Sequence, residues 1–137
     1  MSGAIHAVTD ITGFGLLGHA REMALGSRER GIEAVSFEID HTAIRYLPGA
    51  EEAARGGFVP GGLKNNREFL GDCVWFAETV PQEFRDLLMD PQTSGGLLVA
   101  VAAEYGNDAL EALDKHGVAA RRIGVAIPKG KPLMSVQ

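Results

Sequence analysis

Cysteine is almost missing from this sequence: its 137 residues contain one, Cys73. A lone thiol excludes an internal disulfide and a thiolate metal cage, so a reducing compartment is expected, with the cytoplasm as the default. Long hydrophobic runs are missing too. The longest, Leu97 to Ala103, falls far short of the ~18 residues of a membrane span. Met1 to His6 carries neither the basic region nor the apolar run of a secretory signal. Basic clusters stop at the pair Arg121-Arg122, and 13 Lys and Arg against 18 Asp and Glu leave a net charge of −5. Nucleic-acid binding driven by phosphate neutralisation is therefore excluded as an expectation. The four histidines, His6, His19, His41 and His116, show no zinc-ligand spacing. No serine sits in a nucleophile elbow and no lysine in a P-loop, so no complete catalytic set is present.

What remains is an ordinary globular balance, 45% hydrophobic and 23% charged residues, which excludes disorder and fibrous repeats. The length suits one core, hence a single domain over residues 1–137. A strand-like segment, Ile5 to Val8, starts almost at once, which fits a tightly trimmed domain or a piece of something longer. It leads through Asp10 to Gly13 into a helix marked by Leu16, Leu17, Ala20, Met23 and Ala24. Thr12 is the expected N-cap, with an end near Gly26-Ser27 and a loop to Gly31. Ala34 to Ile39 alternates as a second strand, and Glu51 to Arg55 reads as a short helix. Gly56 to Gly62 (GGFVPGG) reads as a loop. Cys73 to Val80 suggests a third strand, and Phe84, Leu87 and Leu88 line a helix entered at Pro81 and ended before Asp90-Pro91. Leu97 to Val101, almost wholly apolar, looks like a central strand covered on both sides. Asn107 or Asp108 caps a further helix that Gly117 closes, and Arg122 to Ile127 is the last strand, ended by Pro128. Five strands interleaved with three or four helices predict an α/β two-layer sandwich built on a mixed sheet.

Three glycine segments stand out as candidate chemistry. In VTDITGFGLLGH, Val8 to His19, a carboxylate at a strand end precedes a glycine-spaced turn into a helix. Asp10 could bind Mg²⁺ there while amides around Thr12 to Gly15 face phosphate oxygens. The alternative is that Asp10 and Thr12 only close the turn and the glycines only allow helix-to-sheet packing. In DPQTSGGLL, Asp90 to Leu98, paired glycines either let backbone approach a ligand or shape a turn before a strand. In PGGLKNN, Pro60 to Asn66, Asn66 or Lys64 could reach a polar group from a loop, or the loop is simply solvated. His19 is expected at the edge of the first helix, in a supporting or surface role. Cys73, beside Trp75 and Phe76, reads as a small hydrophobe.

TDITGFGLLGH (Thr9 to His19), PGGLKNN (Pro60 to Asn66) and DPQTSGGLL (Asp90 to Leu98), in this order and spacing, resemble the C-terminal half of the selenophosphate synthetases. These enzymes, also called selenide, water dikinases, belong to the AIR synthetase-related superfamily. The resemblance spans essentially the whole chain. It implies the C-terminal α/β domain of an enzyme that makes selenophosphate, AMP and orthophosphate from ATP, selenide and water. It further implies an N-terminal half that carries most of the ATP site, the reactive cysteine or selenocysteine and the essential lysine, and that forms a homodimer. Those groups are not in this sequence, Cys73 is not in the nucleophile's position, and the fragment alone is expected to be inactive. By resemblance Asp10 is a Mg²⁺ ligand. Thr12, Gly13, Gly15, Asn66, Thr93, Ser94 and Gly95 form the candidate ATP-binding set, in which Thr93, Ser94 and the glycines after them either face the cleft between the two halves or only shape the entry to the strand. Leu63 stands where the family commonly has threonine, which removes one hydroxyl. The rival expectations are another ATP-using enzyme of the superfamily, or a stand-alone module that binds a small anion or a partner protein.

Overall fold

The computed structural model describes residues 3–29 and 34–137. Strand β1 (Ile5–Asp10) leads to helix α1 (Gly15–Glu29), then strand β2 (Val35–Ile39) and helices α2 (Ala50–Arg55) and α3 (Gly62–Leu70). Strand β3 (Val74–Phe76), helix α4 (Gln82–Met89), strand β4 (Leu97–Val101), helix α5 (Gly106–Lys115), and strands β5 (Gly124–Pro128) and β6 (Met134–Val136) complete the order. The α/β class is as expected. The strands, however, number six among the described residues and divide into two sheets, one of order β3-β6-β2-β5 and a two-stranded ribbon of β1 and β4. In the larger sheet β6 runs parallel to both β3 and β2, and β5 is antiparallel to β2. In the ribbon β1 and β4 are antiparallel.

The core lies between the four-stranded sheet and helices α1, α3 and α4. Leu17, Ala20 and Ala24 enter it from α1, Leu63 and Leu70 from α3, and Leu88 and Met89 from α4, against Ile39, Met134 and Val136 of the sheet. The spacing Leu17, Ala20, Ala24 is the three-four stripe that turns one helical face inward. Leu63, Asn66 and Leu70 make the same stripe on α3, where every one of them is buried.

Several expected elements are corrected. PGGLKNN is not a loop: it starts α3, which begins at Gly62. Strand β4 is not a covered central strand. It pairs only with β1, and Leu97 and Val99 on it are exposed. Strand β6 is central instead, although it is three residues long and lies beyond Pro128, where the last strand was expected to end. Helix α1 starts at Gly15 and runs to Glu29, past the expected stop at Gly26-Ser27; the rest of the expected loop, through residue 31, lies outside the described residues. Tyr105 stands at the N-cap of α5, and the Asn107 side chain accepts a bond from Arg122 at 3.2 Å. The expected third strand shrinks to Val74–Phe76, while Cys73 is half-buried against the core as a small hydrophobe. Gly117 does close α5: it has φ 72°, and Val118 N–H returns to the Leu113 carbonyl at 2.9 Å.

The edge strand β5 depends on one close approach. Gly124 lies opposite Ile39, and a Cβ built on it would stand 2.2 Å from the Glu38 carbonyl oxygen, a backbone atom that cannot swing aside. Gly124→Ala should therefore destabilise the fold by about 1–3 kcal/mol, whereas Gly130→Ala, where a Cβ meets nothing within 4 Å, should stay within about 0.5 kcal/mol. Urea unfolding of the two variants measures the difference, and equal midpoints would contradict the register of β5.

Candidate functional site

The three glycine segments meet at one end of the β1–β4 ribbon. Asp10, the last residue of β1, lies directly opposite Leu97, the first of β4. The pairing continues past the strands, for Ile11 N–H donates to the Gly96 carbonyl and Gly95 N–H to the Ile11 carbonyl, each at 2.9 Å. One residue on, Gln92 N–H donates to the Thr12 carbonyl at 3.1 Å. The ends of the first and third segments are thus laced together by backbone alone. Side chains are excluded there: a Cβ on Gly95 would lie 2.9 Å from Ile11 Cγ2 and 3.0 Å from its carbonyl oxygen. Gly15 is held more tightly still. Its φ is +69°, and a Cβ would fall 2.8 Å from the Met89 carbonyl carbon and 2.9 Å from the Asp90 oxygen.

Asn66 carries the second segment into this junction. It is 6% exposed, and its amide nitrogen donates to the Gly13 carbonyl and to the Met89 carbonyl, both at 2.9 Å. One side chain of α3 therefore ties the turn before α1 to the end of α4. Gly62, at the start of α3, lets that helix approach Pro91, whose Cγ would be 3.1 Å from a Cβ there. Lys64, the alternative polar candidate, points outward and pairs loosely with Glu68 at 4.0 Å.

Around this junction the other candidates are spread by exposure. Asp10, Gly13, Thr93, Ser94 and Gly95 are exposed, Thr12 is half-buried, and Gly15 is buried. The Thr12 hydroxyl meets His19 Nε2 at 3.1 Å. His19 thus supports the turn two helical turns downstream, the supporting role expected of it. Phe14, 47% exposed, stacks on Phe69 of α3 with centroids 5.2 Å apart and planes at 19°. Gly18 makes room for it, since a Cβ there would come within 2.6 Å of Phe14 Cβ. The Arg21 guanidinium covers the Phe69 ring at 4.5 Å from its centroid. Phe69 and Gln92 were not singled out from sequence, and Phe14 only as part of the TGFGLLGH motif. The only available signal was the placement of an aromatic residue between two glycines, which reads equally well as a turn.

Asp90 has its carboxyl pushed up by burial, partly offset by a 2.8 Å bond from the Gln92 amide. It is therefore a poorer ligand for a cation than the exposed Asp10. Among the described residues no three His, Cys, Asp or Glu side chains come together as a metal cage. The donor set fits Mg²⁺ only as a contribution of one hard carboxylate oxygen, from Asp10, with the remaining ligands supplied from elsewhere. Two surface hollows, of about 270 and 400 Å³, are lined by neither Asp10 nor Thr12 nor Thr93 to Gly96. The site is an open rim of backbone with one carboxylate at its edge.

The family described as AIR synthase related protein, C-terminal domain, matches residues 1–136. "Selenide, water dikinase" of Pelobacter propionicus is 46% identical over 114 residues, covering 83% of this chain and 31% of that protein. The protein of that name from Clostridium botulinum strain Eklund 17B is 39% identical over 131 residues, 95% of this chain and 36% of the relative. That of Escherichia coli K12 is 44% identical over 124 residues, 90% and 33% respectively. The chain spans about a third of the length of these relatives. No helix among the described residues is long and apolar enough to cross a membrane.

Asn66→Ala removes both donors and leaves the Gly13 and Met89 carbonyls short of a partner, so it should lower stability by about 2–4 kcal/mol. Asn66→Asp should be worse at pH 7, because carboxylate oxygens would face two carbonyl oxygens. That arrangement favours the protonated acid in the folded chain, so stability should recover as pH falls towards 5 and decline as it rises. Urea unfolding at the two pH values checks both. A neutral Asn66→Ala would remove the junction's central contact from the argument.

Proposed function

From the premise that this chain belongs to the AIR synthase related family as its C-terminal domain, we propose that it is the C-terminal domain of a selenide, water dikinase. The reaction is ATP, selenide and water giving selenophosphate, AMP and orthophosphate. The observation that carries this reading is the convergence of TDITGFG, PGGLKNN and DPQTSGG on one rim ending at Asp10, in a chain 38–46% identical to proteins of that name. The relatives' length supports a second, N-terminal portion that brings the remaining metal ligands, the nucleophile and the lysine. The chain alone is then inactive, a single domain, and the intact protein is a cytoplasmic homodimer.

Within this reading each group has a distinct task. Mg²⁺, when bound, neutralises charge on the nucleotide phosphates. Asp10 offers it a hard oxygen from a position fixed by the backbone pairing of β1 with β4. In the turn Thr12 to Gly15, at the N-terminus of α1, the Gly15 N–H donates to the Thr12 carbonyl at 3.0 Å, and the remaining amides with the positive end of the helix dipole are offered to phosphate oxygens. Thr93, Ser94 and Gly95 face the same rim, where the hydroxyls can donate to phosphate and Gly95 lets the backbone close in. Asn66 acts through the loops it holds and His19 through Thr12, so both are positioning residues. The rival enzyme reading, a superfamily member that phosphorylates a carbonyl oxygen or a phosphate, would use the same rim. It differs in product.

In the intact protein, Asp10→Asn should fold normally and lose ATP-dependent selenophosphate formation by about 100-fold or more, the scale of a lost metal contact. Phosphorus NMR of the products with selenide as acceptor measures it. Undiminished turnover would remove Asp10 from the site, and a wild-type protein that makes no selenophosphate would favour the rival enzyme.

A further inference from the structure

Helix α4 lines two surface hollows of opposite character. The one it shares with α2 and the loop Phe58 to Pro60, about 270 Å³, has Asp86 and Asp90 in its lining and no Lys or Arg. The other, about 400 Å³, lies where α3, β3 and α4 meet, and has Arg67 and Arg85 in its lining and no Asp or Glu. In a chain of net charge −5, a hollow whose charged lining is wholly cationic runs against the average. Its apolar lining comes from Leu70, Val74, Phe76 and Met89, of which Leu70 and Met89 belong to the buried core.

The two arginines differ in what meets their charge. Arg67 donates to Asp86 Oδ1 at 2.6 Å, and the same oxygen accepts from the Gln82 amide at 2.8 Å, so its charge is balanced within the chain. Arg85 is half-buried, and its Nε and Nη2 donate to the Val80 and Ala77 carbonyls at 2.8 and 3.1 Å. Those two bonds fix the guanidinium 5.4 Å from the centroid of Phe76. Neutral carbonyls do not cancel the charge. Among the described residues no carboxylate pairs with Arg85, whereas Arg21, half-buried likewise, has Glu22 at 3.1 Å. A partly buried charge without a counter-ion costs free energy that an incoming anion recovers. A planar fork already held in place is also preorganised to receive an oxyanion.

We propose that this hollow binds a small organic acid, with its carboxylate on Arg85 and a compact apolar body against Val74 and Phe76. The charge on offer decides the class of ligand. Because Asp86 answers Arg67, a single positive charge is uncompensated, which suits a monoanion. A phosphate monoester, at about −1.5 to −2 charges, would bring more than the hollow balances. The volume of about 400 Å³ lies at the lower end of ligand cavities and suits a body the size of one ring. The site stands apart from the reaction proposed above, since Asp10, Thr12 and Ser94 do not line it.

The test titrates the intact protein with para-fluorophenylacetate and follows the fluorine resonance of the probe. Saturable binding is expected in the millimolar range usual for so small a ligand. Arg85→Gln, which removes the charge, should weaken it at least about 10-fold. Val74→Phe, which fills the hollow and leaves every charge in place, should weaken it as much. In the wild-type protein the probe should slow modification of Arg85 by phenylglyoxal, mapped by peptide mass spectrometry, and leave the exposed Arg121 unprotected. Absence of saturable binding would overturn the proposal, and so would binding that both substitutions leave unchanged. Acetate matching the probe would overturn it by making the apolar body irrelevant, and tighter binding of para-fluorophenyl phosphate by making the ligand a dianion. Displacement of the probe by ATP would place it at the nucleotide's site and overturn the proposal as well. None of these measurements uses selenide, so failure of the selenophosphate reading leaves them unaffected.

Discussion

The arrangement of this domain depends on one buried amide. Asn66 is the point at which three stretches of sequence, fifty residues and more from end to end, are held to one another through two hydrogen bonds. Its partners are backbone carbonyls, Gly13 before α1 and Met89 at the end of α4. A carbonyl oxygen buried without a donor costs about 1–3 kcal/mol, so the amide fixes where α3 can sit. Once α3 is placed, the other constraints follow. Gly15 must lack a side chain because Met89 and Asp90 are drawn against it, and Gly62 because Pro91 is. Gly15 of the first motif and Gly62 of the second are therefore consequences of close approach, and Asn66 is what enforces that approach.

This explains which parts of the fold were legible in the sequence. Helices α1 and α4 announce themselves because their buried faces are apolar. Helix α3 has the same three-four stripe, but its middle position is an asparagine and its first residue a glycine, so a reading based on hydrophobic period finds a loop. Strand β6 was hidden by brevity: three residues after a Lys-Gly-Lys-Pro stretch carry no period, and only the neighbours β3 and β2 make them a central strand. Strand β4 misled in the opposite direction. Its continuous apolar run implies cover on both faces, and the described chain covers one. The inference from composition to burial fails because β4 pairs only with β1 and leaves Leu97 and Val99 exposed.

The site was legible to a similar depth. The segments that carry it could be named from glycine spacing, and the structure brings all three to one rim. Their division of labour could not be named, because it is written in distances. Nothing in the string distinguishes an asparagine that reaches a ligand from one whose two N–H groups are held by its own backbone. The pairing of His19 with Thr12 is likewise invisible without knowing that α1 starts at Gly15. Seven residues then become two helical turns, and the ring comes back over the turn.

A rim assembled in this way has a definite chemical character. Its walls are main chain, brought so close that side chains are excluded at Gly15 and Gly95, and its exposed functional groups are one carboxylate and two hydroxyls. In the proposed reading such a surface recognises charge and shape, through N–H groups and the Asp10 carboxylate. On that reading it grips a polyphosphate and leaves the choice of acceptor to other groups. Discrimination of the group that receives the phosphoryl must therefore come from whatever faces the rim. A division of that kind, grip on one body and choice on the other, lets the gripping half keep the same backbone constraints while the chemistry opposite it changes.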